Sequence, residues 1–143
     1  MIEGLFKLVN KLYGIKVVLK KSKNVLLVDV RSILEYEYVG HPTNSVNIPI
    51  MEPPDWGVRP EFRDNVKSEL EKQFPNISDH SEIKILLLCR SGKRSEKAAS
   101  LLYSAGYKNV INITDGFEGD KDANGHRSVI NGWRFNKLPW EQG

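Results

Sequence analysis

Two uninterrupted aliphatic runs, Val25-Leu26-Leu27-Val28-Asp29-Val30 and Lys84-Ile85-Leu86-Leu87-Leu88, constrain this chain more than any other feature. Neither alternates apolar with polar residues, so neither suits a strand with one face in water. Both read as strands covered on two faces, the pattern of a parallel sheet. Parallel strands need long crossovers, and the intervening residues supply helices for them. Ser32 reads as an N-cap with Glu35 completing a capping box, and Gly40 stops that helix after Val39. Pro60 suits a first helical position; Phe62, Val66, Leu70 and Phe74 then form one apolar stripe, and Pro75 ends it. A further helix is expected over 95–105, with Ala98, Leu101, Leu102 and Ala105 inward and Gly106 as cap. Val46-Asn47-Ile48 and Val110-Ile111-Asn112-Ile113 add short strands, while 51–59 and 116–132 read as loop. Strands alternating with helices predict an α/β domain whose parallel sheet is covered on both faces.

At 143 residues the chain fits one domain and buries a core without disulfides or metals. Its net charge of +3 is spread among interspersed charges of both signs. It carries neither the basic stripe nor a reading motif of a nucleic-acid binder, so none is expected as partner. The single cysteine excludes a disulfide framework and any cysteine-rich metal site. With no export signal among the lysine-interrupted first 23 residues, it reads as a reduced thiol in a cytoplasmic compartment. No stretch approaches the roughly 18 apolar residues of a membrane span. Apolar residues near helical spacing over 5–12 predict a short amphipathic helix. On that reading, 1–23 is a helical extension packed on a main domain of 24–143.

Chemistry concentrates in Cys89-Arg90-Ser91-Gly92-Lys93-Arg94-Ser95. This stretch joins a buried strand to an amphipathic helix, at the carboxyl end of the sheet where open α/β proteins bind ligands. A loop entering a helix N-terminus offers unpaired N–H groups and the positive end of the dipole, and it can curl into an anion cradle. Arg90, Lys93 and Arg94 add full charges. Together they favour the thiolate of Cys89 as a nucleophile. The plainer reading, a small inert apolar residue at a strand end, leaves three cations and a glycine within five residues unexplained.

Cys89 to Ser95 resembles the C-R-x-G-x-R-S active-site loop of the rhodanese domains. Leu27-Val28-Asp29-Val30-Arg31-Ser32, Glu35-Tyr36, Gly40-His41 and Val46-Asn47-Ile48-Pro49 are similar to that family's N-terminal signature. Ala105-Gly106-Tyr107, Asp115 to Gly119, Asn131-Gly132-Trp133 and Leu138-Pro139-Trp140 resemble its C-terminal end. The resemblance spans about residues 24–140 and implies a rhodanese-like α/β fold: a parallel five-stranded sheet with helices on both faces. It implies a single-domain sulfurtransferase that moves sulfane sulfur from thiosulfate or another persulfide to a thiol, to cyanide or to an acceptor protein. Cys89 would carry the persulfide, the N–H groups of Arg90 through Ser95 would cradle it, and Arg94 would close the loop. No cofactor is implied. Four residues separate Cys89 from Arg94, against five in C-x5-R phosphatases, which favours sulfur over phosphate as cargo. A protein-interaction module and a phosphatase or arsenate-reducing enzyme are the rival readings. One departure stands out: Ser91 lies where some members place a cation, and this weakens the case for thiosulfate as the natural donor.

The remaining candidates read as structural. Asp29 and Arg31 flank the end of the first core strand and are expected to support the site. Asp29 either orients Arg90 or Arg94 or pairs locally with Arg31, and it reads as a structural ion-pair member rather than a catalytic acid. His41 reads as a turn-stabilising residue, and His80 and His126 as solvated surface. Trp56, Trp133 and Trp140 read as core or rim packing, with walls of the active-site mouth as the alternative. Asp115, Glu118, Asp120 and Asp122 lack a full calcium-loop pattern, so no metal is expected.

Overall fold

The computed structural model describes residues 7–9 and 23–143. Five strands, β1 (Lys7–Val9), β2 (Val25–Asp29), β4 (Val46–Asn47), β5 (Lys84–Leu88) and β6 (Asn109–Ile113), form one sheet in the order β1-β6-β5-β2-β4. Every pairing in it is parallel. A small antiparallel pair, β3 (His41–Pro42) with β7 (Trp140–Glu141), ties the C-terminal tail to the segment after β2. Two twelve-residue helices, α1 (Phe62–Gln73) and α2 (Lys93–Ser104), complete the described elements, with a π-helical turn over Glu35–Val39 and a 3₁₀ turn over His80–Glu82.

Side chains alternate across the strands and divide the core in two. Leu26, Val28, Ile85, Leu87, Cys89 and Val110 face Phe62, Val66 and Leu70 of α1 and Ala98, Ala99 and Leu102 of α2. Leu27, Leu86, Leu88, Ile111 and Ile113 face the other way, against Phe117, Trp133 and Leu138 of the C-terminal segment, with Val39 from the π-helical turn. Helical segments thus lie on both faces, but both long helices share one. An irregular stretch, much of it from the glycine-rich 116–132 segment, does most of the covering on the other. It holds by backbone pairing: Trp133 N–H donates to the Gly116 carbonyl and Trp133 Nε1 to that of Pro139.

Three expectations need adjustment. The stretch expected as a helix over 5–12 contains β1, which pairs with Ile111–Ile113 and gives β6 a neighbour on its second side. A short apolar run cannot distinguish the two periods, and an open sheet edge selects the strand. The rest of the proposed 1–23 extension, residues 1–6 and 10–22, lies outside the described residues. In α2 the inward face is Ser95, Ala98, Ala99 and Leu102; Leu101 is half-buried and Ala105 exposed. That helix also starts two residues early, because Gly92, at φ 106°, can serve as its N-cap.

Asp29 and Arg31 are both fully buried. Arg31 Nη2 lies 2.6 Å from Asp29 Oδ2, and Nε 2.9 Å from Oδ1. Arg31 also donates to the Gly40 carbonyl and stacks 4.5 Å over the Phe117 ring. The pair therefore links β2, the following turn and the C-terminal segment. Breaking one half of a buried pair strands a charge. Arg31→Met should cost about 3–5 kcal/mol in urea unfolding, and a paired Asp29→Leu change should recover much of that.

Candidate functional site

Strand β5 ends at Leu88, and the next residue, Cys89, is 1% exposed beneath the turn into α2. The turn folds back on the thiol. Gly92 N–H donates to Cys89 Sγ at 3.1 Å, and Ser95 N–H at 3.4 Å. Backbone N–H groups of Arg90, Ser91, Lys93 and Arg94 have no hydrogen-bond partner among the described residues. The start of α2 thus supplies free donors and the dipole's positive end around a sulfur atom.

Two glycines make this curl possible. A Cβ on Gly92 would lie 2.0 Å from the Thr114 carbonyl oxygen, and one on Gly116 about 2.5 Å from the backbone of Arg90. Both have positive φ. Because the two segments touch backbone to backbone, Phe117 N–H reaches the Cys89 carbonyl at 2.7 Å, and Glu118 and Gly119 N–H reach that of Arg90. The carbonyls of Cys89 and Arg90 are thereby turned to the C-terminal segment.

Ser95 adds a third contact, with Oγ 3.4 Å from Cys89 Sγ. Its hydroxyl lies closer, 2.6 Å, to Oδ1 of Asn112, whose Nδ2 donates to the Gly92 carbonyl. Asn112 was not foreseen. Its signal was a polar side chain on the helix-facing side of an otherwise apolar strand, where a buried amide needs partners. Both partners belong to the Cys89 loop.

Arg94 does not point a free charge at the sulfur. Its Nη1 and Nη2 donate to Oε1 and Oε2 of Glu35 at 2.7 and 2.9 Å, a bidentate pair. Glu35 also accepts from Ser32 Oγ and N–H, and Ser32 Oγ accepts from Glu35 N–H, so the capping box forms as read. Burial opposes ionisation of Glu35, but Arg94 and Ser32 outweigh it and hold the carboxyl at about 2. Arg90 and Lys93 are exposed and form no ion pair among the described residues. Ser91 is half-buried.

Above the loop lies a cleft of about 590 Å³ lined by Glu35, Val39, Trp56, Arg90, Arg94 and Glu118. Trp56 is exposed at its rim, whereas Trp133 is core, and Trp140 packs edge-on against Phe117. Asp29 pairs with Arg31 rather than with Arg90 or Arg94. His41 stacks on Tyr36, and its Nδ1 donates to the Tyr36 carbonyl. His80, expected in solvent, is half-buried and hydrogen-bonds the Phe74 carbonyl at the end of α1. Glu118 sits 3.8 Å from Arg134. Among the described residues no group of three or more His, Cys, Asp or Glu is placed to hold a metal. No described helix is long and apolar enough to cross a membrane.

A parallel α/β domain with one thiol under an N–H-rich loop at a helix start defines a class of proteins. Residues 17–123 match the rhodanese-like domain, and the chain belongs to that family. The crystal structure of Rv0390 from M. tuberculosis superposes with a TM-score of 0.78 at 30% identity, covering 96% of this chain and 98% of that one. An uncharacterized protein of Rickettsia conorii, RC0915, is 36% identical over 84% of this chain and 85% of its own length. A thiosulfate:glutathione sulfurtransferase of Saccharomyces cerevisiae is 36% identical over 66% of this chain and 63% of its own.

The Glu35 carboxyl makes stability depend on acid. A group whose pKa is lower folded than unfolded stabilises the fold above its unfolded value and loses that contribution as pH falls through the folded one. Between about pH 4.5 and 2 the protein should lose about 3 kcal/mol through this group. Glu35→Gln should flatten that part of a urea-midpoint-against-pH curve.

Proposed function

We propose that this chain is a sulfurtransferase that carries sulfane sulfur as a persulfide on Cys89. The observation that carries the reading is the pair of backbone donors, from Gly92 and Ser95, directed at Cys89 Sγ within a C-x4-R turn. N–H donors converging on one atom are suited to hold an anionic group there. Family membership and the sulfurtransferase among the relatives support the same chemistry.

In the first half-reaction the Cys89 thiolate attacks the outer sulfur of thiosulfate. A new S–S bond forms to Sγ, the old one breaks, and sulfite departs with the electron pair. In the second half-reaction an acceptor thiolate or cyanide attacks that outer sulfur. The electron pair of the Sγ–S bond returns to Cys89, which regenerates the thiolate. Charge moves outward by one atom when the persulfide forms, so the free N–H groups of Arg90, Ser91, Lys93 and Arg94 suit the loaded state. Arg94, fixed by Glu35, serves as a stationary positive wall. Arg90 and Lys93 attract the anionic donor, and Asp29 with Arg31 supports the strand that presents Cys89. Four residues between Cys89 and Arg94 make a ring of donors sized for sulfur rather than for the oxygens of a phosphate.

Cys89→Ser should fold normally and lose thiosulfate:cyanide activity, because no second cysteine can take its place. Intact mass after incubation with thiosulfate should show one added sulfur on the wild type and none on the variant. Residual activity within about tenfold of wild type would falsify the assignment. Hydrolysis of aryl phosphates should be negligible beside sulfur transfer; the reverse order would make the protein a phosphatase.

A further inference from the structure

Trp56 stands in a backbone conformation that its residue type avoids. Its φ is 55°, in the left-handed region where a bulky aromatic side chain is strained. It is also 46% exposed, so nearly half of its surface stays open above the fold. The segment around it is nevertheless well held. Trp56 N–H donates to the Glu52 carbonyl, Gly57 N–H to Asp55, and Met51 pairs with Val58 across the base. Glu52 in turn accepts from Ile33 N–H at 2.6 Å, which fastens the segment to the turn that carries Glu35. The strained residue is thus anchored beside the cleft over Cys89, and its ring centroid lies 5.9 Å from the Arg94 guanidinium carbon.

A strained aromatic with this much open surface at the wall of a cleft points to a ligand contact. The cleft itself says which ligand. At about 590 Å³ it has far more room than thiosulfate or cyanide requires. Val39 and the Trp56 ring give it apolar wall beyond the charged groups.

We propose that Trp56 is a specificity-determining residue that selects sulfur acceptors by packing against an apolar or planar body attached to the attacking thiol. This deepens the sulfurtransferase reading and rests on it. The transfer it governs is attack by the acceptor thiolate on the outer persulfide sulfur, with the Sγ–S electron pair returning to Cys89.

The test uses Trp56→Asn, since asparagine tolerates the left-handed conformation, and Trp56→Phe, which keeps a ring. Discharge of the Cys89 persulfide is followed by intact mass with 2-phenylethanethiol and with 2-mercaptoethanol. The ratio of the two rates cancels their different thiol chemistry between variants. In Trp56→Asn this ratio should fall about tenfold, as expected for one lost aromatic contact, and Trp56→Phe should keep most of it. A second arm needs no sulfur transfer: alkylation of unloaded Cys89 by 2-iodo-N-phenylacetamide relative to iodoacetamide should fall in the same variant. If neither thiosulfate nor a small-molecule persulfide loads Cys89, the sulfurtransferase reading fails, while the alkylation ratio still decides the role of Trp56. Thermal unfolding supplies the third readout, in which Trp56→Asn should leave Tm unchanged or raised. A selectivity change below about threefold in both arms, or a fall in Tm above about 4 °C, would overturn the proposal.

Discussion

The site depends on two backbone segments lying closer together than side chains permit. Gly92 meets the carbonyl of Thr114, and Gly116 meets the backbone of Arg90. At these distances a Cβ on either residue would push the Cys89 loop away from the strand that supports it. The contact also fixes polarity. Carbonyls of Cys89 and Arg90 are consumed by Phe117, Glu118 and Gly119, while the N–H groups of Arg90, Ser91, Lys93 and Arg94 stay free among the described residues. A loop sorted in this way presents donors to an anion, and the sorting comes from the segment that follows β6. The irregular C-terminal stretch is therefore part of the site as well as a cover for the sheet.

A second joint locks the loop from the opposite side. Glu35 closes the capping box with Ser32 and takes both guanidinium nitrogens of Arg94. One carboxylate thereby ties the turn after β2 to the start of α2, 59 residues away. The pair is mostly shielded, with side chains 17% and 20% exposed, so it should outweigh a surface salt bridge. Behind the sulfur, Asn112 performs a similar service through Ser95 and Gly92. The thiol thus sits among groups that are each held by a further group. Such support keeps donors at fixed distances, as the proposed movement of charge between Sγ and an outer sulfur requires.

Much of this was legible in the residues. Continuous aliphatic runs marked β2 and β5 as doubly buried, and the cysteine, glycine and cations marked the loop, because hydrophobic period and turn chemistry are local properties. An ion pair at Asp29 was readable too, but Arg31, Arg90 and Arg94 were all open as its partner, and the structure pairs it with Arg31. What escaped depended on contacts remote in sequence. Glu35 was visible as a capping residue, but its hold on Arg94 exists only once the two loops meet. Asn112 carried a faint signal, polar on an apolar strand, with no hint of its partners. Residues 7–9 escaped because the apolar spacing over 5–12 is too short a run to separate strand from helix, and the neighbouring β6 edge decides between them. Trp56 looked like packing until its backbone conformation and exposure were known.

The distribution of charge bears on which donor the loop is built for. Of the loop's three cations, Arg94 is compensated by Glu35, and Ser91 adds no charge where a fourth might stand. Arg90 and Lys93 remain, and both are exposed. An exposed charge acts through water and salt, where two unit charges 4 Å apart interact by about 1 kcal/mol, whereas the N–H groups near a buried sulfur act through a poorly polarisable medium. Attraction of a doubly charged donor from solution is therefore modest, while the N–H groups beside Sγ lie where water and salt screen them little. On the proposed sulfurtransferase reading, that balance favours holding a persulfide over capturing thiosulfate, and sulfur would come from a donor brought close by other means as readily as from a free oxyanion.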